Sequence, residues 1–162
     1  MREIELNDGY RTVIDDEDYE IVVNHRWRVA KKRDGRIYAW ASIRGHDVYL
    51  HRLLLGAKSG EYGDHLDGDG LNNQRSNIRL ATATQNAANR RKTQRARKSS
   101  RFKGVYWWRH AALRSGGYWK AQLVVQGRVR VKYAKTEDTA ARLYNEMARE
   151  AFGPFARLNG VS

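Results

Sequence analysis

Cysteine is absent from the 162 residues, which excludes disulfides, thiolate nucleophiles and any structural zinc bound through sulfur. Proline occurs once, at Pro154. No apolar run approaches the roughly 18 residues of a membrane-spanning helix, so no membrane partner is expected. The opening MREIELNDGY has no apolar core of a secretion signal, and the chain reads as cytoplasmic. Acidic residues are scarce in one half only. Residues 90–162 hold four Asp+Glu against eighteen Lys+Arg, a net of +14, whereas residues 1–89 hold fourteen against thirteen, a net of −1. What is present is core-forming material: 41% hydrophobic residues with five Trp and nine Tyr, too much for a disordered chain. A folded, strongly basic protein of this kind has a polyanion as its expected partner.

The charge asymmetry predicts two modules with different tasks. Between them runs Asn89–Arg101, basic and free of large apolar side chains. It reads as a solvated linker or as an arm that tracks phosphates, beginning with Arg90 and Arg91, and the two readings are compatible. Before it, Tyr19–Val23, Trp27–Ala30, Ile37–Ile43 and Val48–Leu50 are short β-branched or aromatic runs between turn signals such as Asn7-Asp8-Gly9 and Asp34-Gly35, predicting strands. Their cations Arg26, Arg28, Lys31, Lys32 and Arg33 are candidate DNA contacts. Residues 59–74 are rich in Gly, Asp and Asn and predict a loop, and residues 76–89 predict a short strand followed by a helix.

After the arm, residues 102–109, 118–125 and 128–133 predict three strands, the last two joined by Gln126-Gly127. Thr136-Glu137-Asp138 opens a helix that Gly153-Pro154 stops. The fold class expected is therefore α+β. Alternation places Lys120 and Gln122 opposite Trp119, Ala121, Leu123 and Val125, and places Arg128, Arg130 and Lys132 opposite Val129, Val131 and Tyr133. If the apolar sets pack on the helix, the open face is a row of cations suited to nucleic acid.

The residues that carry chemistry lie in the loop, Asp64-His65-Leu66-Asp67-Gly68-Asp69, followed by Asn72-Asn73, Asn77, Arg79 and Asn86. An Asp beside a His pairs a hard oxygen ligand with a base that works near neutral pH. Asn77 and Asn86 add amide oxygens, so Mg²⁺ or a similar oxygen-seeking divalent metal is favoured over zinc. A turn-rich loop with a surface His fits the same spacing. A calcium loop does not, because Leu71 occupies a ligand position.

His51-Arg52-Leu53, Asp64-His65-Leu66-Asp67-Gly68-Asp69, Leu71-Asn72-Asn73 through Arg79, and Gln85-Asn86 through Asn89 together resemble the HNH (ββα-metal) endonucleases of phage and homing-element type. The match includes spacing: His65 precedes Asn77 by twelve positions and Asn86 by twenty-one. The resemblance implies that His65 is the general base, that Asp64 and Asn86 hold one divalent metal, and that Asn77 orients the His65 ring. It leaves His51 and Arg52 a structural or phosphate-contact role. No small-molecule cofactor is implied.

Phe102-Lys103-Gly104-Val105, Trp119-Lys120-Ala121, Ala140–Tyr144 and the Phe152–Asn159 ending resemble the plant Apetala-2/ethylene-response-factor (AP2/ERF) DNA-binding domain. That family lays its sheet in the major groove, which implies contacts from Lys103, Tyr106, Trp108, Lys120, Gln122, Arg128 and Arg130. Lys132 extends this row, and Arg79, Arg90 and Arg91 are further expected DNA contacts. Tyr106 and Val124 stand where plant domains often carry Arg, so the plant target sequence does not transfer. The organisation expected is an HNH module over residues 1–90 (core about 48–90), a basic linker over 91–101, and an AP2/ERF-like domain over 102–160. The activity implied is metal-dependent cleavage of double-stranded DNA, with nicking expected from one site per chain. A DNA-binding regulator with an inactive HNH fold is the alternative, and an RNA-binding protein is a third reading.

Overall fold

The computed structural model describes residues 1–91, 99–110 and 116–161, and divides into two compact units, Met1–Ala87 and Ala88–Ser162. Most of the basic arm, including Lys92, Arg95, Arg97 and Lys98, lies outside the described residues. Among the described residues no helix is long and apolar enough to cross a membrane.

The first unit opens with an antiparallel hairpin, β1 (Arg2–Glu5) and β2 (Arg11–Ile14). The expected strand at Tyr19–Val23 is instead helical: a 3-10 turn over Asp16–Asp18 continues into α1 (Tyr19–Val22). Four successive acids, Asp15–Asp18, favour a helix start electrostatically. Burial then follows a helical face, with Val22 inside and Ile21 and Val23 outside. Next come β3 (Arg28–Lys31), β4 (Ile37–Ile43) and β5 (His46–Tyr49), an antiparallel sheet in chain order. The apolar segment at residue 51 is a short helix, α2 (Leu50–Leu55), closed by Gly56 in the left-handed conformation that glycine adopts without strain. β6 (Tyr62–His65) and β7 (Ile78–Ala81) form a second hairpin, and α3 (Ala83–Asn89) follows it directly. Leu6, Ile14, Val22, Trp27, Ala39, Leu50, Leu54 and Ile78 make one core that joins the N-terminal hairpin, the middle sheet, α2 and the second hairpin.

The second unit is a three-stranded antiparallel sheet, β8 (Val105–Arg109), β9 (Gly117–Val125) and β10 (Arg128–Ala134), with β9 central. Against it packs α4 (Glu137–Phe152), whose N-terminus is capped by Thr136 accepting from the Thr139 amide. Ala140, Ala141, Tyr144, Met147 and Ala148 meet Phe102, Val105, Ala121 and Leu123 in its core. Each large apolar side chain so buried contributes about 1.5–3 kcal/mol.

The turn Gln126-Gly127 has positive φ at both residues, the two-residue hairpin geometry. It sets Arg128 opposite Val125, Arg130 opposite Leu123 and Lys132 opposite Ala121. Directly opposed residues share a face, so these three cations lie on the side of the core residues, not with Lys120 and Gln122. Arg130 and Lys132 reach Glu150 and Glu146 of α4, each at 3.3 Å. The expectation of a cationic open face is thereby corrected. That face carries Tyr106, Trp108, Lys120, Gln122, Val124, Val129 and Tyr133 instead, aromatic and apolar with one lysine.

Candidate active site

The candidate site is built on the β6–β7 hairpin. Asp64 and His65 end β6, and the loop 66–77 leads back into β7. The loop bonds itself into shape. Asp67 accepts from the Asp69 amide at 2.7 Å and from the side chains of Asn72 and Asn77 at 2.9 and 3.0 Å. Burial works to raise the Asp67 pKa, but these hydrogen bonds and the nearby His65 outweigh it and hold the carboxyl below the usual range.

The N-terminal hairpin grips the same loop. Val13 donates its amide to the Leu71 carbonyl at 2.9 Å, and its carbonyl accepts from the Asn73 amide at 2.8 Å. Thr12 and Asn73, both fully buried, add a side-chain bond of 2.7 Å. Asp15 accepts from the Arg75 amide at 2.7 Å, and the Arg75 guanidinium pairs with buried Asp18 at 2.6 Å. Gly70 completes the fit, because a Cβ there would stand 2.1 Å from the Ile37 carbonyl oxygen.

His65 is 5% exposed, and its Nε2 lies 3.2 Å from Asn73 Oδ1. Burial pushes its pKa below the ordinary histidine value, against the raising influence of Asn73, Asp67, Asp64 and Asp69. The ring is thus neutral at pH 7, the form in which it accepts a proton. Asn77, expected to orient this ring, makes its side-chain bonds to Asp67 and to the Asn72 carbonyl. It closes the loop, and Asn73 meets the ring.

Asp64 is also 5% exposed, and its Oδ2 accepts from Arg79 Nε and Nη2 at 2.9 and 2.8 Å. Arg79, an expected DNA contact, faces Asp64 across the hairpin, is 18% exposed on its side chain, and pairs with this carboxylate. Asn86, on α3, lines a cleft of about 450 Å³ together with Lys32, Arg36, Tyr49, Tyr62 and His51. Asp64 is not among the residues lining that cleft; by donor type, its carboxylate and the Asn86 amide oxygen suit a hard divalent cation over zinc. The other carboxylate group, Asp15, Glu17 and Asp18, has its ligand atoms within 4.8 Å of one another, but Asp15 and Asp18 are engaged by Gln74 and Arg75.

His51 sits under the site. α2 places its ring edge-on to His65, 4.7 Å between centroids, and stacked on Tyr49 at 5.8 Å. Burial, with smaller contributions from His65 and Arg52, lowers its pKa to about 3. Gly63 makes room for it, since a Cβ at that position would stand 2.1 Å from His51 Cδ2. Arg52 donates to the carbonyls of Glu61, Ala57 and Lys58 and so staples the turn before β6.

Among the expected DNA contacts of the second unit, Tyr106, Trp108, Lys120 and Gln122 share the open face, while Arg128, Arg130 and Lys132 lie across the sheet from it. Lys103 is half-buried and donates to the Ala88 carbonyl, and burial, then Arg157, lowers its pKa to about 8. Arg90 and Arg91 are exposed. Thr12, Tyr38, Tyr49 and Asn73 were not anticipated as site residues. Asn73 lies within the HNH-like motif, but nothing near Thr12 in the sequence points to the loop.

No protein-family profile matches the chain, and no solved structure does. A curated protein of Acanthamoeba polyphaga mimivirus, named an uncharacterized HNH endonuclease, is 34% identical over 146 residues, spanning 88% of this chain and 71% of the viral protein. With that identity over most of both chains, and with a ββα hairpin–helix bearing the Asp-His loop, the chain belongs to the HNH endonuclease family.

Proposed function

We propose that the protein is a metal-dependent DNA endonuclease whose nuclease module spans residues 1–90, with the core at about 48–90. His65 is its general base, and Asp64 and Asn86 would hold one divalent metal, Mg²⁺ being the natural choice for oxygen donors. A metal bound there supplies positive charge to the scissile phosphate. The observation that carries the reading is the buried, neutral His65 ring held in place beside Asp64 at the end of β6. His65 takes a proton as the O–H bond of water breaks. The water oxygen forms the new P–O bond, and the 3′ oxygen leaves with the electron pair and is protonated from solvent. Asn77 acts through the loop, by fixing Asp67 and Asn72.

Residues 102–160, within the second unit, are assigned to site recognition, consistent with their AP2/ERF-like motifs and with the net charge of residues 90–162. Their open sheet face, with Tyr106, Trp108, Lys120 and Gln122, is the surface offered to double-stranded DNA. One active site per chain gives nicking as the product. Supercoiled plasmid incubated with the full chain, with and without Mg²⁺, tests the proposal. Open circles appearing only with metal support it. Plasmid that is bound but never converted would make the protein a DNA-binding regulator.

A further inference from the structure

The hydrogen bonds around His65 carry polarity as well as position. Thr12 spends its one hydroxyl hydrogen on the Leu71 carbonyl at 2.7 Å, so toward Asn73 the same oxygen only accepts. The Asn73 amide therefore turns its NH₂ to Thr12, at 2.7 Å, and to the Gly70 carbonyl, at 3.4 Å. The reversed amide would set two acceptor oxygens against each other at Gly70 and leave Thr12 short of a donor. Both side chains are 0% exposed, so no solvent relieves that mismatch. Asn73 Oδ1 is thus the atom facing His65 Nε2 at 3.2 Å. An amide oxygen only accepts, so Nε2 must carry the hydrogen.

We propose that Thr12 and Asn73 are positioning residues that hold His65 as its Nε2–H tautomer, so that Nδ1 is the nitrogen that takes the proton from water. This rests on His65 being the general base. It gives the N-terminal hairpin a role in the chemistry: β2 shapes the catalytic loop through Val13 and, through Thr12, sets which end of the imidazole is basic. The ring is confined by Tyr38 and His51, at centroid distances of 5.9 and 4.7 Å, so it has little room to turn over and exchange its two nitrogens.

The test is two-bond ¹H–¹⁵N correlation on ¹⁵N-histidine-labelled full-length protein at pH 8, without DNA or metal, with His65 identified by its loss in His65→Gln. The expected pattern for His65 is the Nε2–H tautomer. In Thr12→Val, which keeps the shape and removes the hydroxyl, the Nδ1–H form should appear. Turnover on plasmid in Mg²⁺ should then fall about ten- to a hundredfold, as for other changes one step removed from a reacting group, with KM for DNA unchanged. Thr12→Ser should restore both. An Nδ1–H majority in the unaltered protein overturns the proposal whether or not the variant folds. So does a Thr12→Val protein that folds and keeps a single Nε2–H tautomer or full turnover. An Nε2–H ring in a protein that cleaves no DNA would instead overturn the general-base reading on which the proposal rests.

Discussion

Replacing Gly63 by alanine probes how tightly the site is built. The added methyl would stand 2.1 Å from His51 Cδ2, 2.9 Å from Nε2 and 3.3 Å from Cγ, where about 3.5–4.0 Å is the optimum for carbon contacts. Gly63 is not in the left-handed region, so the backbone conformation itself tolerates alanine and the penalty is steric. His51 borders the cleft on one side and is closely packed on the others. It is 6% exposed and packed by Tyr38, Tyr49 and His65 at centroid distances of 5.7, 5.8 and 4.7 Å. Overpacking of this kind costs about 1–3 kcal/mol. Urea unfolding of the full chain should be followed at the indole N–H of Trp27, which donates to the Val22 carbonyl in the first unit's core. The second unit then does not enter the measurement. The double variant with His51→Ala should recover most of the loss, a coupling of about 1–3 kcal/mol between the two sites. A Gly63→Ala protein as stable as the parent, with no coupling to His51, would refute the packing argument.

Other perturbations have definite expected outcomes. His51 titrates near 6.5 when unfolded and near 3 when folded. As pH falls below about 6.5 the unfolded chain gains a proton that the folded chain refuses, so stability is lost on acidification. At pH 4.5 the loss is about 3 kcal/mol, and acid titration of His51→Leu should lack that part of the slope. Arg79→Met removes the guanidinium from a buried carboxylate and should cost about 3 kcal/mol in urea unfolding; an unchanged midpoint would show the pair to be unimportant. On the second unit, Gln122→Ala should weaken DNA binding by roughly 1–3 kcal/mol with relaxed specificity. Arg130→Gln, across the sheet, should change affinity by less than about 0.5 kcal/mol in the same titration, since an exposed ion pair contributes little.

The sequence motif marks the Asp-His pair and the strand–helix that follows, because ligand types and turn residues are local signals, but the loop expected over residues 59–74 begins only after His65, since Tyr62–His65 pairs with Ile78–Ala81 as strand β6. The strand Ile37–Ile43 and the helix after Thr136 were legible for the same reason. The parity of β10 was in principle legible too. A two-residue turn at Gln126-Gly127 forces Arg130 onto the face of Leu123, but alternation alone does not say which face meets the helix. Tyr19–Val22 defeated composition, since four acids before it outweigh a β-branched run. The contacts of Thr12 with Asn73, 61 residues apart, and of His51 with Gly63 belong to tertiary packing, to which no local pattern points.

The central claim is that this chain cuts DNA with His65 as the base. Side-by-side measurement of His65→Ala and the unaltered protein, for both DNA affinity and plasmid conversion in Mg²⁺, tests it most directly. Affinity should be nearly unchanged, because the ring is buried and contributes no phosphate charge, while conversion should disappear. A His65→Ala protein that converts plasmid at the parent rate would contradict the account.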